Sequence, residues 1–143
     1  MLDQKQVGNL TELQCITAFY ELGYKVSLPY GENSRYDFIA DVDGILIRVQ
    51  VKSCKVKEDG SIISFPCRST RVNSTQCIHR KYSKDEIDYF CTYYNGQCYL
   101  VPVEECSDEK KLRFSAPKNN QGKGINYAKD YELLSQVHKL KSK

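Results

Sequence analysis

Four polar residues stand where a folded chain ordinarily keeps apolar or neutral side chains: Glu12 in "GNLTEL", Asp37 in "SRYDF", and Gln50 and Lys52 in "RVQVKS". Asp37 and Gln50 offer hard oxygen donors of the kind that Mg²⁺ takes, and the Val51 carbonyl lies between Gln50 and Lys52. An ammonium beside such an ion can orient or deprotonate a water, or stabilise charge gathering on a phosphate. Glu12 is the candidate second carboxylate. On a helix it shares a stripe with Gly8, Cys15, Ile16 and Phe19, and so interrupts a small or apolar face. A buried carboxylate needs a partner or a metal. A plainer account stays open: Asp37 hydrogen-bonded to Gln50 across two strands, with Lys52 an edge charge that blocks aggregation.

A tight turn brings three of these residues together. Asp43-Gly44 is a strong two-residue hairpin signal, because both central positions of a type I′ turn need positive φ. The register then follows: Val42 opposes Ile45, Ala40 opposes Ile47 and Phe38 opposes Val49 on an apolar face. Asp41 opposes Leu46, Ile39 opposes Arg48 and Asp37 opposes Gln50 on the other. Lys52 follows Gln50 on that second face, ~7 Å along.

The remaining elements frame the hairpin. Residues 3–22 predict an amphipathic helix with Val7, Leu10, Leu13, Ile16 and Phe19 at helical spacing, closed by Gly23. A short strand at 24–29 precedes the hairpin, and "GSIISFP" predicts another strand after it. Residues 67–84, basic and polar without a clear period, predict a loop with a short helical turn. "EIDYFCTYYNGQCYLVPV" predicts a second hairpin about Asn95-Gly96, "KLRFS" a further strand, and "NNQGKG" a flexible loop. "NYAKDYELLSQVHKL" predicts a terminal helix with Asn126 as N-cap. The expectation is a mixed α/β fold over residues 1–143 as a single domain.

Net charge is +3, but residues 45–84 carry 9 basic and 2 acidic side chains, against 3 basic and 7 acidic in residues 1–44. Such a block is the footprint of a polyanion-binding face; a solvated basic surface is the bland alternative. No apolar run reaches the ~18 residues of a membrane span, and the N-terminus lacks a signal-peptide core, so the expectation is a cytoplasmic protein with no membrane partner. The 7 cysteines show no CxxC and no zinc spacing with the 2 histidines, and read as buried small hydrophobes with free thiols.

The pattern of a helix Glu, an Asp near a strand start and (E/Q)-x-K on the next strand resembles the PD-(D/E)xK nuclease superfamily. Within it the chain resembles most the group I intron homing endonucleases, in Gln at position 50, in the Arg/Asn-rich "CRSTRVNS", in "DEIDYFCTYY…CYLVP" and in "INYAKDYELL". The resemblance implies a restriction-endonuclease-like core and a Mg²⁺-dependent, site-specific endonuclease acting on double-stranded DNA, with Mn²⁺ able to substitute. It implies Glu12, Asp37, Gln50 and the Val51 carbonyl around the metal and Lys52 at the attacking water. DNA-contact candidates are Arg35, Lys55, Arg68, Arg71, Arg80 and Lys81; Arg35 either meets the scissile phosphate or pairs with Asp37. Cutting both strands with so small a domain implies a homodimer or homotetramer, for which the Tyr-rich hairpin offers apolar surface unless it is core. The alternatives are a Holliday junction resolvase-like nuclease and a catalytically inactive DNA-binding protein of the same fold.

Overall fold

A computed structural model describes residues 1–117 and 124–143. Helix α1 (Gln4–Glu21) opens on a reciprocal cap: the Asp3 carboxylate accepts from the Gln6 N–H at 2.8 Å, and the Gln6 side chain accepts from the Asp3 N–H at 3.0 Å. It stops at Gly23, whose φ of 88° is the left-handed conformation that a terminating glycine supplies. The buried residues of α1 are Thr11, Cys15 and Phe19, whereas Leu10 and Leu13 are exposed. The expected apolar stripe therefore faces partly outward. Thr11 and Cys15, small and spaced by four, let the helix lie close to the sheet with Phe19 following on the same row, and the leucines spaced by three drift off that face.

Strand β1 (Lys25–Ser27) pairs with β2 (Phe38–Val42), which forms the predicted hairpin with β3 (Ile45–Val51). The register is the expected one, from Val42–Ile45 to Phe38–Val49, and Asp43 and Gly44 have φ of 52° and 94°. β3 runs parallel to β8 (Tyr89–Tyr94), and β8 turns through Asn95-Gly96 into β9 (Gln97–Pro102). These strands make a five-stranded sheet in the order β1-β2-β3-β8-β9. β4 (Lys55–Lys57), β5 (Ile62–Pro66) and β10 (Glu109–Arg113) form a second sheet in the order β10-β5-β4. β4 was not expected from the sequence.

Residues 67–84 depart most from expectation. They form an antiparallel ribbon of β6 (Arg68–Val72) and β7 (Cys77–Lys81), paired from Arg68–Lys81 to Val72–Cys77. The Asn73 side chain closes its tip by accepting from the Thr75 and Gln76 N–H groups at 2.9 and 2.8 Å. A ribbon that packs neither face against the core shows no apolar alternation, so the strand period is invisible in its sequence. The C-terminal helix is also shorter than expected: a 3₁₀ turn at Ala128–Tyr131 precedes α2 (Leu133–Lys141), and Asn126 is not its N-cap. Instead Asn126 Oδ1 accepts from the Tyr131 hydroxyl at 3.0 Å. All of the loop expected at 119–124 except Gly124 lies outside the described residues.

Two apolar layers flank the large sheet. Phe38, Ala40, Val42, Ile47, Val49, Cys91 and Leu100 meet Cys15 and Phe19 of α1 and Leu133 and Val137 of α2. Phe19 and Phe38 touch edge to face with centroids 5.5 Å apart; burying each such side chain contributes roughly 1.5–3 kcal/mol. On the opposite face Phe90, Tyr99 and Val101 pack against Ile63, Phe65 and Leu112 of the second sheet. The Tyr-rich hairpin is largely core, with Tyr89, Phe90, Cys91, Thr92 and Tyr99 buried.

Candidate active site

The site begins where the β2–β3 ladder ends. The Asp37 N–H donates at 2.8 Å to the carbonyl of Val49, the residue paired with Phe38, so the ladder ends at Phe38–Val49 and does not extend to the expected Asp37–Gln50 pair. Its carboxylate turns along β3 and accepts from the Val51 N–H at 2.7 Å. On the other side of β3 the Lys52 N–H donates to the Cys91 carbonyl at 2.9 Å. The backbone of Val51 and Lys52 is thus fixed from both neighbouring strands. The Gln50 amide folds back, with Nε2 donating to the Val51 carbonyl at 3.3 Å, so two of the expected oxygen ligands lie within one side chain's reach.

Glu12 arrives from a different layer. α1 packs on the face that carries Val49 and Cys91, whereas Gln50 and Lys52 alternate to the other face. The helix is anchored just past the end of β3, where the Thr11 and Ser53 hydroxyls lie 2.9 Å apart. Glu12 is thereby held near enough to Asp37 for the two charges to interact: burial, and then the Asp37 charge, push the Glu12 carboxyl above its ordinary value. Burial also pushes Asp37 up, against the opposing pull of the Val51 N–H and the Lys52 ammonium. Lys52 is pushed down, chiefly by burial, with Asp37 opposing and Arg35 assisting. Two carboxylates held above their ordinary range beside an amide and a carbonyl form a set of hard oxygen donors with room for positive charge. That is the donor chemistry a divalent ion such as Mg²⁺ takes.

The Lys52 side chain is aimed by the ribbon. Its Nζ donates to the Arg68 carbonyl at 3.2 Å and lies 5.3 Å from the centre of the Tyr82 ring. The same ring takes Arg35, whose guanidinium stacks on Tyr82 at 3.8 Å. Arg35 pairs with Glu86 at 3.0 Å rather than with Asp37, and donates to the Ser69 hydroxyl and the Lys81 carbonyl, each at 3.0 Å. Glu86 also takes Arg80 at 2.8 Å. Burial works against the Glu86 charge, yet the Ser83 N–H and the two guanidiniums hold its carboxyl below the ordinary range. Sequence reasoning missed Tyr82 and Glu86. Neither carries a local signal, because both act across a ribbon that was not recognised as one.

The basic candidates divide by position. Arg68 and Lys81 face each other across β6 and β7 and share Asp108, at 3.9 and 3.7 Å. Arg71 lies in β6 opposite Ile78. Lys55, in β4, lines with Ser53 and Arg68 an open cleft of about 410 Å³ beside the end of β3. Arg48 belongs to the structure instead: it pairs with Asp88 at 3.1 Å and donates to the Lys84 and Asp85 carbonyls.

Comparison with known proteins gives a family and a fold. A family model described as PD-(D/E)XK endonuclease matches residues 2–134. Among solved structures, a bacterial homing endonuclease, I-Ssp6803I, superposes with a TM-score of 0.77 at 23% identity, covering 99% of each chain. The search of curated proteins returned no match. Among the described residues no helix is long and apolar enough to cross a membrane.

Proposed function

The chain belongs to the PD-(D/E)XK endonuclease family, and from that premise we propose that it is a Mg²⁺-dependent, site-specific endonuclease of the homing type that cuts double-stranded DNA. The family is one of nucleases that act on DNA and generally use divalent metal ions. The observation that carries the finer reading is the Asp37 carboxylate held on the Val51 N–H at 2.7 Å beside an anchored Lys52, with the Thr11–Ser53 contact bringing Glu12 of α1 to the same strand end.

In this reading Glu12, Asp37, the Gln50 amide oxygen and the Val51 carbonyl hold the ion. Gln50 rotates its amide to present oxygen in place of nitrogen. The bound ion supplies Lewis acidity, lowering the pKa of a water and offsetting charge on the phosphate. Lys52 holds the attacking water; its lowered pKa brings proton transfer nearer to neutral pH. The Arg68 carbonyl and the Tyr82 ring keep its ammonium in place. Asp37 is oriented by the Val51 N–H, so its free oxygen is the one that faces the ion.

The β6–β7 ribbon is the DNA-reading element. A two-stranded ribbon fits the major groove, where Arg and Lys can meet base edges or phosphates. Arg68, Arg71, Arg80, Lys81 and Lys55 are the contacts we assign to DNA. Arg35 reaches the same surface and locks the ribbon to the site, so that reading DNA and placing Lys52 are coupled. The exposed Val7, Leu10 and Leu13 row on α1 suits a homo-oligomeric contact, dimer or tetramer, which two-strand cutting requires. The nuclease-like domain spans residues 1–143, and cytoplasmic action fits its substrate.

The test is cleavage of plasmid carrying candidate sites, in Mg²⁺, beside Lys52→Ala. Cutting by the parent chain and none by the variant is expected. Equal or absent cutting by both reduces the chain to a DNA-binding protein, and selective nicking of four-way junctions replaces the homing reading with a resolvase one.

A further inference from the structure

Behind the active site, three cysteines meet at one point. Cys15 on α1, Cys91 on β8 and Cys98 on β9 place their sulfurs all within 4.8 Å of one another, with Cys91 and Cys98 Sγ 3.1 Å apart. Their residues are 0%, 0% and 2% exposed. The surroundings are apolar: Phe19, Val49, Leu100, Leu133 and Val137 belong to the same layer. Three sulfurs about 2.3 Å from a common centre would stand roughly 4 Å apart in a plane, and closer around a pyramidal centre. The Cys91–Cys98 separation of 3.1 Å, with all three sulfurs within 4.8 Å, suits a pyramidal centre.

A disulfide suits the site poorly. Cys91 opposes Leu100 and Cys98 opposes Tyr93, so the two cysteines are diagonal neighbours. Diagonal Cβ atoms lie roughly 6–7 Å apart, well beyond the ~4 Å that an S–S bond spans. An ion between the sulfurs bridges the longer gap. Zinc wants a fourth ligand, and among the described residues the cluster offers three, in a closed apolar layer. Copper(I) with three thiolates would carry two negative charges, buried without a cation in that layer and with Asp37 adding a repulsive field at Cys15. A trivalent ion with three thiolates is neutral.

We infer that Cys15, Cys91 and Cys98 form a binding site for a trivalent thiophilic ion of the arsenite class, joined to three sulfurs where α1 meets β8 and β9. The exchange balances without electron transfer. As(OH)₃ and three thiols give As(S–Cys)₃ and three waters: three As–O bonds break, three As–S bonds form, and each thiol proton leaves on a hydroxide. Burial keeps the Cys15 and Cys91 thiols protonated, whereas hydrogen bonds from those two sulfurs hold Cys98 down to about 5; a Cys98 thiolate reacting in place of a thiol releases hydroxide in place of one water. Loading ties α1 to the sheet one turn from Glu12. It requires the helix to lift, so it is slow and is accelerated by urea below the unfolding range.

The test incubates the intact protein with arsenite and counts sulfur neighbours of arsenic by X-ray absorption. Three sulfurs and no oxygen are expected, with a thermal midpoint that rises with arsenite concentration. Cys98→Ala and Cys91→Ala should each lose the three-sulfur signature and the shift, whereas Cys77→Ala, at an exposed thiol, should keep both. Two or fewer sulfurs on the parent chain overturn the site even if a variant fails to fold. So does a three-sulfur signal that survives either alanine, or Zn²⁺ displacing arsenite from these thiols.

Discussion

Replacing Gln50 with Glu asks whether the site at the end of β3 is built for a cation. Position 50 directly precedes Val51, whose N–H holds the Asp37 carboxylate at 2.7 Å, so a carboxylate at position 50 would stand on the order of 5 Å from it. Two unit charges at ~5 Å in an effective dielectric of about 20 repel by about 3 kcal/mol. Gln50 is only half-buried and Lys52 stands beside it, so about 1–2 kcal/mol of that should survive as lost stability in Gln50→Glu without metal. A doubly charged ion reverses the sign, since the added carboxylate attracts it. The assay is urea unfolding of parent and variant, each in chelator and in saturating Mg²⁺. The parent should change little between the two media. The variant should be about 1–2 kcal/mol less stable in chelator and recover with Mg²⁺, and its DNA-free Mg²⁺ affinity should rise about tenfold, equivalent to ~1.4 kcal/mol. A variant as stable as the parent in chelator, with unchanged Mg²⁺ affinity, would refute the placement of position 50 in the ion's shell.

Asp37→Asn should abolish cleavage while DNA binding stays within a few-fold, read by gel shift beside a plasmid assay; loss of both together would point to a folding role. DNA affinity should fall steeply with salt, and Lys81→Ala or Lys55→Ala should each lower the log–log slope by about 0.9, so slopes unchanged in both remove these residues from the interface. In chelator, the Glu12 and Asp37 pair makes stability pH-dependent. Their folded pKa values are raised, Glu12 by burial and then Asp37, and Asp37 by burial against Val51 and Lys52. Between the unfolded values of about 3.9–4.3 and those raised values the folded state binds more protons, so the pair's contribution grows as pH falls through that window and is lost as pH rises. The readout is the difference in urea stability between the parent and the Glu12→Gln/Asp37→Asn variant across pH; a difference that moves the other way contradicts the burial argument.

What the sequence discloses depends on where each signal resides. The β2–β3 register was legible because Asp43-Gly44 permits one turn, and a side-chain period of 2 then fixes every pair through to Phe38 and Val49; the expected Asp37–Gln50 pair lies beyond the ladder. Glu12 was legible as a carboxylate on a face of small residues, although the helix buries Thr11, Cys15 and Phe19 and turns Leu10 and Leu13 outward. The ribbon was not legible. Its strands bury nothing against the core, and its stability comes from Asn73 at the tip and from Arg35, Tyr82 and Glu86 at the base. The Asn73 contacts are local, but those of Arg35 with Ser69 and Glu86 join residues 34 and 51 positions apart in sequence, which no local pattern records.

The same contacts bear on how the proposed site, with one carboxylate fewer on its hairpin, would work. Glu in place of Gln50 would give stronger ion binding in the absence of DNA, at the cost of repulsion from Asp37 whenever the ion left. With Gln50 the ion-free protein keeps its hairpin ladder, and the two carboxylates relieve their own repulsion by rising in pKa. In the proposed reading a phosphate oxygen of the substrate would make up the deficit in ligand charge. Because Arg68 carries both a guanidinium on the ribbon and the carbonyl that holds Lys52, any movement of the ribbon onto DNA is transmitted to the ammonium. Ion, phosphate and Lys52 therefore assemble together in this reading, and a chain built this way should show weak ion binding alone, strong ion binding on its DNA target, and little cleavage of DNA that the ribbon does not fit.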